Sequence, residues 1–412
     1  MTNITLPLDI KSLEVISQSI DSNGNIVLDV VSKCTSATCH KCGAYATKRH
    51  GHSYPIMVRH TSVFDTPVYI RIKPVRYQCD NCDDQATTTE QYDWCDRNAK
   101  ITKGLEEYIM RSLINSTIKD VSRKEKIGCK TITRALNRLV NKSVDWSQYS
   151  DLETIGIDEI SNRKGHKDYI AIVSAITKAG DLSVIAVLDE RTKISVKDFF
   201  ESIPKHLQKT VKTVCTDMYD GFVYAAIEVF GQRAVVVDRF HVAKLYRAPL
   251  DSLRIKEMAR LKEELEAQEY AKLEGMMWIL RKQHECLTQA DKNKLELLYI
   301  YSPSLKLAHS YALKLTNIFN THTTRKSALA KIDRWIDGVE QSELFCFKKF
   351  IKTLNKYRGS IANYFKSRKS SGFVEGLNNK IKVTKRRCYG FFKVESLFQR
   401  LFLDLKGYET FA

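Results

Sequence analysis

The sequence predicts a mixed α/β domain interrupted by a long all-α insertion, preceded by one small strand-rich module and one module of short helices. Three observations support this fold class. Residues 56–79 contain several stretches in which apolar and polar side chains alternate, which is typical of half-buried strands. Residues 103–145 change to a helical period. From residue 153, strand-length apolar runs alternate with helical stretches until the strand signal stops near residue 242.

These changes of period divide the chain into five segments, which are 1–98, 99–150, 151–245, 246–365 and 366–412. We expect the third and fifth to form one core, with the fourth as its helical insertion.

Composition restricts the function further. The chain has 412 residues, 43% of them hydrophobic, which is enough to bury two or three cores. Its formal net charge of +18 is typical of proteins that bind nucleic acid, although a basic protein without such a partner is the alternative. Residues 325–412 contribute most of this excess, which predicts a phosphate-binding surface there. The sequence has no membrane-spanning run and opens without a signal peptide, so we expect a cytoplasmic protein without a membrane partner.

Segment 1–98 contains two C-x-x-C pairs. Cys39 and Cys42 form the first, and Cys79 and Cys82 form the second. Four thiolates in this arrangement can close a tetrahedral Zn²⁺ site, which would be structural because no coordination position stays open. Two redox or merely structural cysteine pairs are the alternative. The spare candidate ligands are Cys34, His40 and Cys95.

Segment 99–150 has the layout of a helix-turn-helix. We predict one helix near 117–125, a turn at Ile127-Gly128 and a second helix from about Lys130. A helical hairpin with a solvated basic face is the alternative. The second helix carries side chains suited to phosphate and base-edge contacts in a major groove. These DNA-binding candidates are Lys130, Thr131, Thr133, Arg134 and Arg138.

Segment 151–245 places acidic residues after predicted strands. Asp158 ends the run ETIGI and Asp217 ends VKTVCT, so we expect both carboxylates at the same edge of the sheet. An acid in either place can also simply solvate a loop. Asp238 ends a third run, VVVD, immediately before a predicted helix, where the alternative role is an N-cap.

The fifth segment supplies a third acid. Glu375 is the lone acidic residue in the run SSGFVEGLNNKIKVTKRR. A helix would place it on one face with polar and basic side chains, while Leu377 and Ile381 would point elsewhere. The residues of that face are Glu375, Asn379, Lys382 and Arg386. An ion pair with a neighbouring Lys is the alternative role for Glu375.

The chemistry of phosphodiester bonds explains why three carboxylates matter. Breaking or forming such a bond passes through a charge-rich transition state, which two metal ions about 4 Å apart can stabilise. Mg²⁺ prefers oxygen ligands and keeps several waters, so two or three carboxylates suffice to hold it.

Together these residues resemble the DDE-class transposases of bacterial insertion sequences, in the branch called the L-three insertion-sequence family. The resemblance covers nearly the whole chain, including the cysteine pairs and the helix-turn-helix. Its further motifs are Gly156-Ile157-Asp158-Glu159, Lys164-Gly165-His166, Asp217, Asp238-Arg239-Phe240-His241, Glu375-Gly376-Leu377-Asn378-Asn379-Lys380-Ile381-Lys382, Lys385-Arg386 and Gly390-Phe391.

The resemblance implies a ribonuclease-H-like core in which Asp158, Asp217 and Glu375 bind two Mg²⁺ or Mn²⁺ ions per active site. It implies that Asp238 and His241 are an accessory D-x-x-H motif that does not hold metal. The cations of the Glu375 helix face would meet DNA, so the DNA-binding candidates of the last segment are Asn379, Lys382, Lys385 and Arg386.

The implied activity is cleavage at terminal inverted repeats, followed by strand transfer into target DNA. The implied partners are double-stranded transposon ends and target DNA, and a second copy of the chain in a homodimer or larger assembly. The implied location is the nucleoid in a bacterial cytoplasm.

Two other functions stay open. A ribonuclease-H-like nuclease could use the same core, and a catalytically silent regulator could use only the DNA-binding modules. The sequence-specific binding modules argue against the first, and the presence of all three acids argues against the second. Trp335, in the insertion, could stack on an unpaired base, but a buried core Trp is the favoured interpretation.

Overall fold

A computed structural model describes residues 8–161, 169–282, 284–369, 372–390 and 393–411. Four motif residues lie outside this part of the chain: Lys164, Gly165, His166 and Phe391. No helix among the described residues is both long enough and apolar enough to cross a membrane.

The chain forms two compact units. The first contains Met1–Lys142, Thr384–Tyr389 and Gln399–Ala412. The second contains Ser143–Val383 and Gly390–Phe398.

The N-terminal part of the first unit is built from strands. They are β1 (Leu13–Ile20), β2 (Ile26–Ser32), β3 (Ala37–Thr38), β4 (Tyr45–Ala46), β5 (Lys48–His52), β6 (Ile56–Val63), β7 (Thr66–Ile72), β8 (Val75–Gln78) and β9 (Thr87–Thr89). A four-stranded sheet has the order β1-β2-β7-β6, and a three-stranded sheet has the order β5-β8-β9. β7 buries Val68, Ile70 and Ile72 at every second position, as its period of two predicts.

Three helices follow in the same unit: α1 (Lys103–Leu113), α2 (Ile118–Glu125) and α3 (Cys129–Leu139). α2 begins after Thr117, whose side chain accepts a hydrogen bond from the backbone N–H of Asp120. It ends at Lys126, whose φ of 54° turns the chain towards α3. α3 buries its apolar face, which includes Ile132 and Leu136. The predicted helix-turn-helix is confirmed.

The second unit contains one five-stranded sheet. Its strands are β10 (Thr154–Ser161), β11 (Tyr169–Ile176), β12 (Leu182–Leu188), β13 (Thr213–Thr216) and β14 (Val235–Val237). The order is β12-β11-β10-β13-β14, with β10 to β12 antiparallel and with β13 and β14 parallel to β10. The predicted mixed sheet is confirmed. Its first helices are α4 (Lys193–Ser202), α5 (Lys205–Gln208) and α6 (Asp220–Phe230).

One detail of the prediction for β10 is wrong. Asp158 does not end this strand, because the strand continues to Ser161. The antiparallel pairing with β11 extends past the acid, with Glu159 opposite Ala171 and Ser161 opposite Tyr169.

The helical insertion contains α7 (Arg239–Glu264), α8 (Ala267–Ala271), α9 (Met276–Ile279), α10 (Gln289–Tyr301), α11 (Pro303–Asn320), α12 (Arg325–Gln341), α13 (Lys348–Lys356) and α14 (Arg358–Ser367). Trp335 is 4% exposed and donates a 2.8 Å hydrogen bond from Nε1 to the carbonyl of Tyr311. The interpretation of Trp335 as a core residue is confirmed. α14 packs on the edge strand β14, where the Asn363 amide donates 2.8 Å hydrogen bonds to the carbonyls of Gln232 and Val235.

The last two helices are α15 (Gly372–Arg387) and α16 (Val394–Phe411). The second half of α16 belongs to the first unit, where Leu403 is buried in the core of α1 to α3. Gln399 donates to the carbonyl of Val140 at 2.7 Å, and Arg400 donates to that of Leu113 at 2.8 Å. The end of the chain is thus a fourth helix of the helix-turn-helix module, which the sequence analysis did not anticipate.

Candidate active site and zinc centre

The four cysteines of the two pairs converge. Cys39 and Cys42 lie in the turn between β3 and β4, and Cys79 and Cys82 lie between β8 and β9. The Sγ atoms of Cys39 and Cys82 are 3.8 Å apart, and those of Cys42 and Cys79 are 3.5 Å apart. A tetrahedral zinc site with ~2.3 Å bonds has sulfur–sulfur edges of about 3.8 Å. The four thiols therefore fit Zn²⁺.

The local backbone favours the thiolate of Cys39, whereas burial raises the pKa of the Cys79 thiol and the contact with Cys42 raises that of Cys82. Backbone N–H groups of Cys42 and Lys41 lower the pKa of the Cys39 thiol to about 6. Gly43, with a φ of 75°, lets the chain turn back after the first pair.

The spare candidate ligands lie outside this group. His40 uses Nδ1 to contact Thr88 Oγ1 at 3.0 Å, and Cys95 is buried in a separate apolar cluster with Trp94. Cys34 is not one of the four cysteines whose sulfurs lie within 4.8 Å of one another.

Asp158 and Asp217 lie side by side in the second unit. β10 and β13 are parallel, and Ile157 aligns with Thr216, so the two acids are the next positions along neighbouring strands. The backbone N–H of Glu159 donates to Asp158 Oδ1 at 2.8 Å, and that of Tyr219 donates to Asp217 Oδ1 at 3.0 Å. Each carboxylate is thus oriented by the backbone just after it.

Burial makes both of these acids harder to ionise. Burial raises the pKa of Asp158 above its usual range. Burial, followed by the charge of Asp158, raises the pKa of Asp217 to about 6. Two adjacent carboxylates with raised pKa values are a donor set that a divalent cation would stabilise.

α15 packs directly on this part of the sheet. Asn378 Nδ2 donates a 2.6 Å hydrogen bond to Asp158 Oδ2. A Cβ atom at Gly156 would lie only 2.4 Å from Val374 Cγ2, so glycine is required for this close approach. Glu375 is exposed and lies one residue after Val374 and three before Asn378 on the helix. Residues three apart are neighbours on a helix surface, so Glu375 lies next to the side of α15 that contacts Asp158.

The three carboxylates are less tightly gathered than the cysteines. Among the described residues, the four cysteines form a cluster in which the potential metal-ligand atoms all lie within 4.8 Å of one another. Asp158, Asp217 and Glu375 do not form such a group.

Asp238 and His241 lie next to the two aspartates. Asp238 is the N-cap of α7, since its Oδ1 accepts from the N–H of Phe240 at 3.0 Å, as its alternative role predicted. Its Oδ2 lies 3.3 Å from His241 Nδ1. This contact, with the charges of Asp217 and Asp158, raises the pKa of His241. The ring is therefore a cationic neighbour of the carboxylates when protonated.

Sequence reasoning gave no role to Asn378 or Gly156, although both lie in quoted motifs. For Asn378 a signal was available, because it is three residues from Glu375 and hence on the same side of a helix. For Gly156 no signal was available, because the need for glycine comes from Val374 and Phe373, far away in the sequence.

The DNA-binding candidates of α3 divide into two groups. Lys130, Thr133 and Arg134 are exposed, and Thr131 is half-buried. Arg138 is exposed too, but it forms ion pairs with Asp96 and Glu106 in the same unit. Its guanidinium is already engaged within the protein.

α15 presents the expected polar face. Leu377 and Ile381 are 3% and 0% exposed, so they do point away from that face. The candidates on the face are the exposed Asn379, Lys382 and Arg386 and the half-buried Lys385.

Three family models match the chain. The model of the ISL3 DDE transposase domain, described as "Transposase", matches residues 155–401. A helix-turn-helix domain of transposase family ISL3 matches residues 90–140, and a zinc-finger of transposase IS204/IS1001/IS1096/IS1165 matches residues 35–82.

Individual proteins are similar over most of their length. The transposase for insertion sequence element IS1001 of Bordetella parapertussis is 26% identical over 370 residues, covering 88% of this chain and 87% of that protein. The transposase for insertion sequence element IS1557 of Mycobacterium tuberculosis (strain ATCC 25618 / H37Rv) is 22% identical over 399 residues, covering 90% and 87%. Among solved structures, the Drosophila P element transposase strand transfer complex gives a TM-score of 0.42 at 12% identity, covering 74% of this chain and 92% of that one.

The fold class expected from the sequence is confirmed: a ribonuclease-H-like α/β core with an all-α insertion, behind a zinc ribbon and a helix-turn-helix. The transposase model spans well over half of the 412 residues. The chain therefore belongs to the ISL3 family of transposases.

Proposed function

We propose that this transposase binds the terminal inverted repeats of an insertion sequence and cleaves and transfers DNA strands with Asp158, Asp217 and Glu375. One observation carries the proposal. Two half-buried carboxylates lie side by side, one on β10 and one directly after the parallel strand β13, and the helix that bears Glu375 is hydrogen-bonded to Asp158 through Asn378. That juxtaposition joins residues far apart in the sequence.

The donor set suits Mg²⁺ or Mn²⁺. Asp158 and Asp217 would hold such ions through carboxylate oxygens, and the exposed Glu375 would complete the set. The chemistry that two such ions supply is stabilisation of the attacking and leaving oxygens of a phosphodiester. The His241 ring, held by Asp238, would lie beside the carboxylates without binding metal.

The chain's own groups would prepare this site. Backbone N–H groups fix one oxygen of each aspartate, and Asn378 holds the second oxygen of Asp158. These hydrogen bonds leave the carboxylates little rotational freedom, which favours a preorganised site.

DNA recognition would use two helices, α3 and α15. The exposed Lys130, Thr133 and Arg134 of α3 suit a major groove, and the polar face of α15 suits phosphates. Arg138 is exposed as well, but it would have to give up its ion pairs with Asp96 and Glu106 to contact DNA. A structural Zn²⁺ would fold the module that precedes α1.

An assembly and a location complete the proposal. Two element ends must be held together for transfer, so we propose a homodimer or larger assembly on DNA. Because the substrate is DNA, we place the protein at the bacterial nucleoid.

The test uses purified protein, a labelled duplex carrying one matched inverted repeat from the DNA that flanks the gene, and a target plasmid. Glu375→Gln should abolish cleavage while end binding stays intact. Glu395→Gln is the matched control, since Glu395 is an exposed acid in the first turn of α16.

Each outcome has a definite meaning. Cleavage by Glu375→Gln at the wild-type rate would show that the third carboxylate is misassigned. Cleavage by Asp158→Asn would refute the catalytic site as a whole. Cleavage without transfer of the label into the plasmid would indicate a nuclease, and binding without cleavage by the wild type would indicate a silent regulator.

A further inference from the structure

Each proposed catalytic aspartate is oriented by a backbone N–H group. Glu159 provides this group for Asp158, and Tyr219 provides it for Asp217. A backbone N–H is fixed in the peptide plane that its residue shares with the preceding one. The spacing of the two carboxylates therefore depends on how Glu159 and Tyr219 are held relative to each other.

The side chains of these two residues meet at Arg191. The guanidinium of Arg191 forms an ion pair with the Glu159 carboxylate through Nη1. Its Cζ atom also lies 4.8 Å from the centroid of the Tyr219 ring and 4.4 Å from that of Tyr169. A planar guanidinium can stack on rings and donate hydrogen bonds in its own plane at the same time, which an ammonium group cannot do.

The backbone around Arg191 is closely packed as well. Arg191 lies in the loop between β12 and α4, and α4 begins at the N-cap Thr192. A Cβ atom on Gly221, at the start of α6, would lie 3.0 Å from the carbonyl oxygen of Arg191 and 2.7 Å from Tyr219 Cε1. The loop therefore has little room to move relative to Tyr219.

We propose that Arg191 is a positioning residue that sets the distance between Asp158 and Asp217 by holding Glu159 and Tyr219 together. Among the described residues, no hydrogen bond is recorded from Arg191 to either aspartate, so it would act through their backbone donors. Arg191 belongs to none of the family motifs quoted above. The inference rests on the proposed function, because it concerns the spacing of the proposed metal ligands.

The test compares Arg191→Lys and Tyr219→Leu with the wild type in the full-length, zinc-loaded protein. Arg191→Lys keeps the positive charge but loses stacking, and Tyr219→Leu keeps the backbone N–H but loses the ring. Arg254→Lys is the matched control, because Arg254 pairs with Asp251 at 2.8 Å within α7 and is outside the proposed site.

Two readouts are needed besides activity. Mn²⁺ binding without DNA is measured by electron paramagnetic resonance, and end binding is measured by fluorescence anisotropy. Cleavage is then titrated with Mg²⁺. Loss of a residue that orients metal ligands typically weakens metal binding by about 10-fold to 100-fold. We expect a loss of this order for both variants, a matching rise in the Mg²⁺ requirement, and unchanged end binding.

Unchanged Mn²⁺ affinity in both variants would overturn the positioning role. Weaker end binding with unchanged Mn²⁺ affinity would also overturn it, since Arg191 would then contact DNA phosphate. Asp158→Asn separates this inference from the one on which it rests. If Asp158→Asn retains Mn²⁺ binding and cleavage, the proposed active site fails, whatever the Arg191 variants do.

Discussion

The contact between Gly156 and α15 allows the active-site hypothesis to be tested by adding a single methyl group. A Cβ atom at Gly156 would lie 2.4 Å from Val374 Cγ2 and 2.7 Å from Phe373 Cζ. Carbon atoms pack at about 3.5–4.0 Å, so Gly156→Ala must separate helix and strand by roughly 1 Å. The 2.6 Å hydrogen bond from Asn378 to Asp158 would then lengthen beyond hydrogen-bond distance.

The two consequences of this displacement differ in size. Overpacking of this kind costs about 1–3 kcal/mol of stability, which a folded domain usually tolerates. A misplacement of roughly 1 Å in a catalytic group can cost on the order of 100-fold in rate. We therefore expect Gly156→Ala to fold and bind DNA ends, but to cleave about 100-fold more slowly.

The assay measures urea unfolding, end binding and single-turnover cleavage on the same preparation. Gly104→Ala is the control, because its Cβ would lie 4.0 Å from His60 Cε1, which is an ordinary contact. That variant should be unchanged or up to ~1 kcal/mol more stable, since Ala favours a helix over Gly. Wild-type cleavage by Gly156→Ala would refute the argument that α15 must lie against β10 for catalysis.

Three further predictions concern single side chains. Asp217 binds its proton more tightly in the folded protein, where its pKa is about 6, than in the unfolded chain, where it is 3.8. The resulting stabilisation is fully present below pH 3.8 and is lost as the pH rises through about 6. Asp217→Asn should therefore stabilise the metal-free protein at pH 8 by on the order of 1–3 kcal/mol in urea unfolding, with no such gain at pH 3. The same variant should abolish cleavage. Equal changes in stability at both pH values would contradict this prediction. Cys79→Ser should lose bound zinc by elemental analysis and weaken end binding, whereas retention of zinc would exclude a four-cysteine centre. Trp335→Ala should lose about 3–5 kcal/mol of stability without changing the end affinity of the folded protein, and a selective loss of affinity would revive base stacking.

Features set by local spacing could be predicted from the sequence. Both cysteine pairs, the turn at Ile127-Gly128 and the helix that bears Glu375 depend on residues close together in the chain. The end of β10 was misjudged, because the residues after Asp158 stay in the strand through pairing with β11. A local run of residues does not reveal the length of such a pairing.

Features set by distant segments could not be predicted. Arg191, Glu159 and Tyr219 come from three separate segments, and nothing in one sequence shows that they meet. The second half of α16 is amphipathic, but its pattern does not identify its partner. Only the structure places Arg400 and Leu403 among α1 to α3.

The contact between α14 and β14 affects how the transposase core could be shortened. An outermost strand exposes backbone groups with which another chain can pair, and this one reads Val-Val-Val. Asn363 donates to the carbonyl of Val235 in this strand and to that of Gln232 just before it, and α14 packs against the strand. Excising the insertion would expose this apolar edge strand to solvent, and the truncated protein should aggregate through intermolecular strand pairing. By covering β14, the insertion therefore prevents the core from associating through this edge.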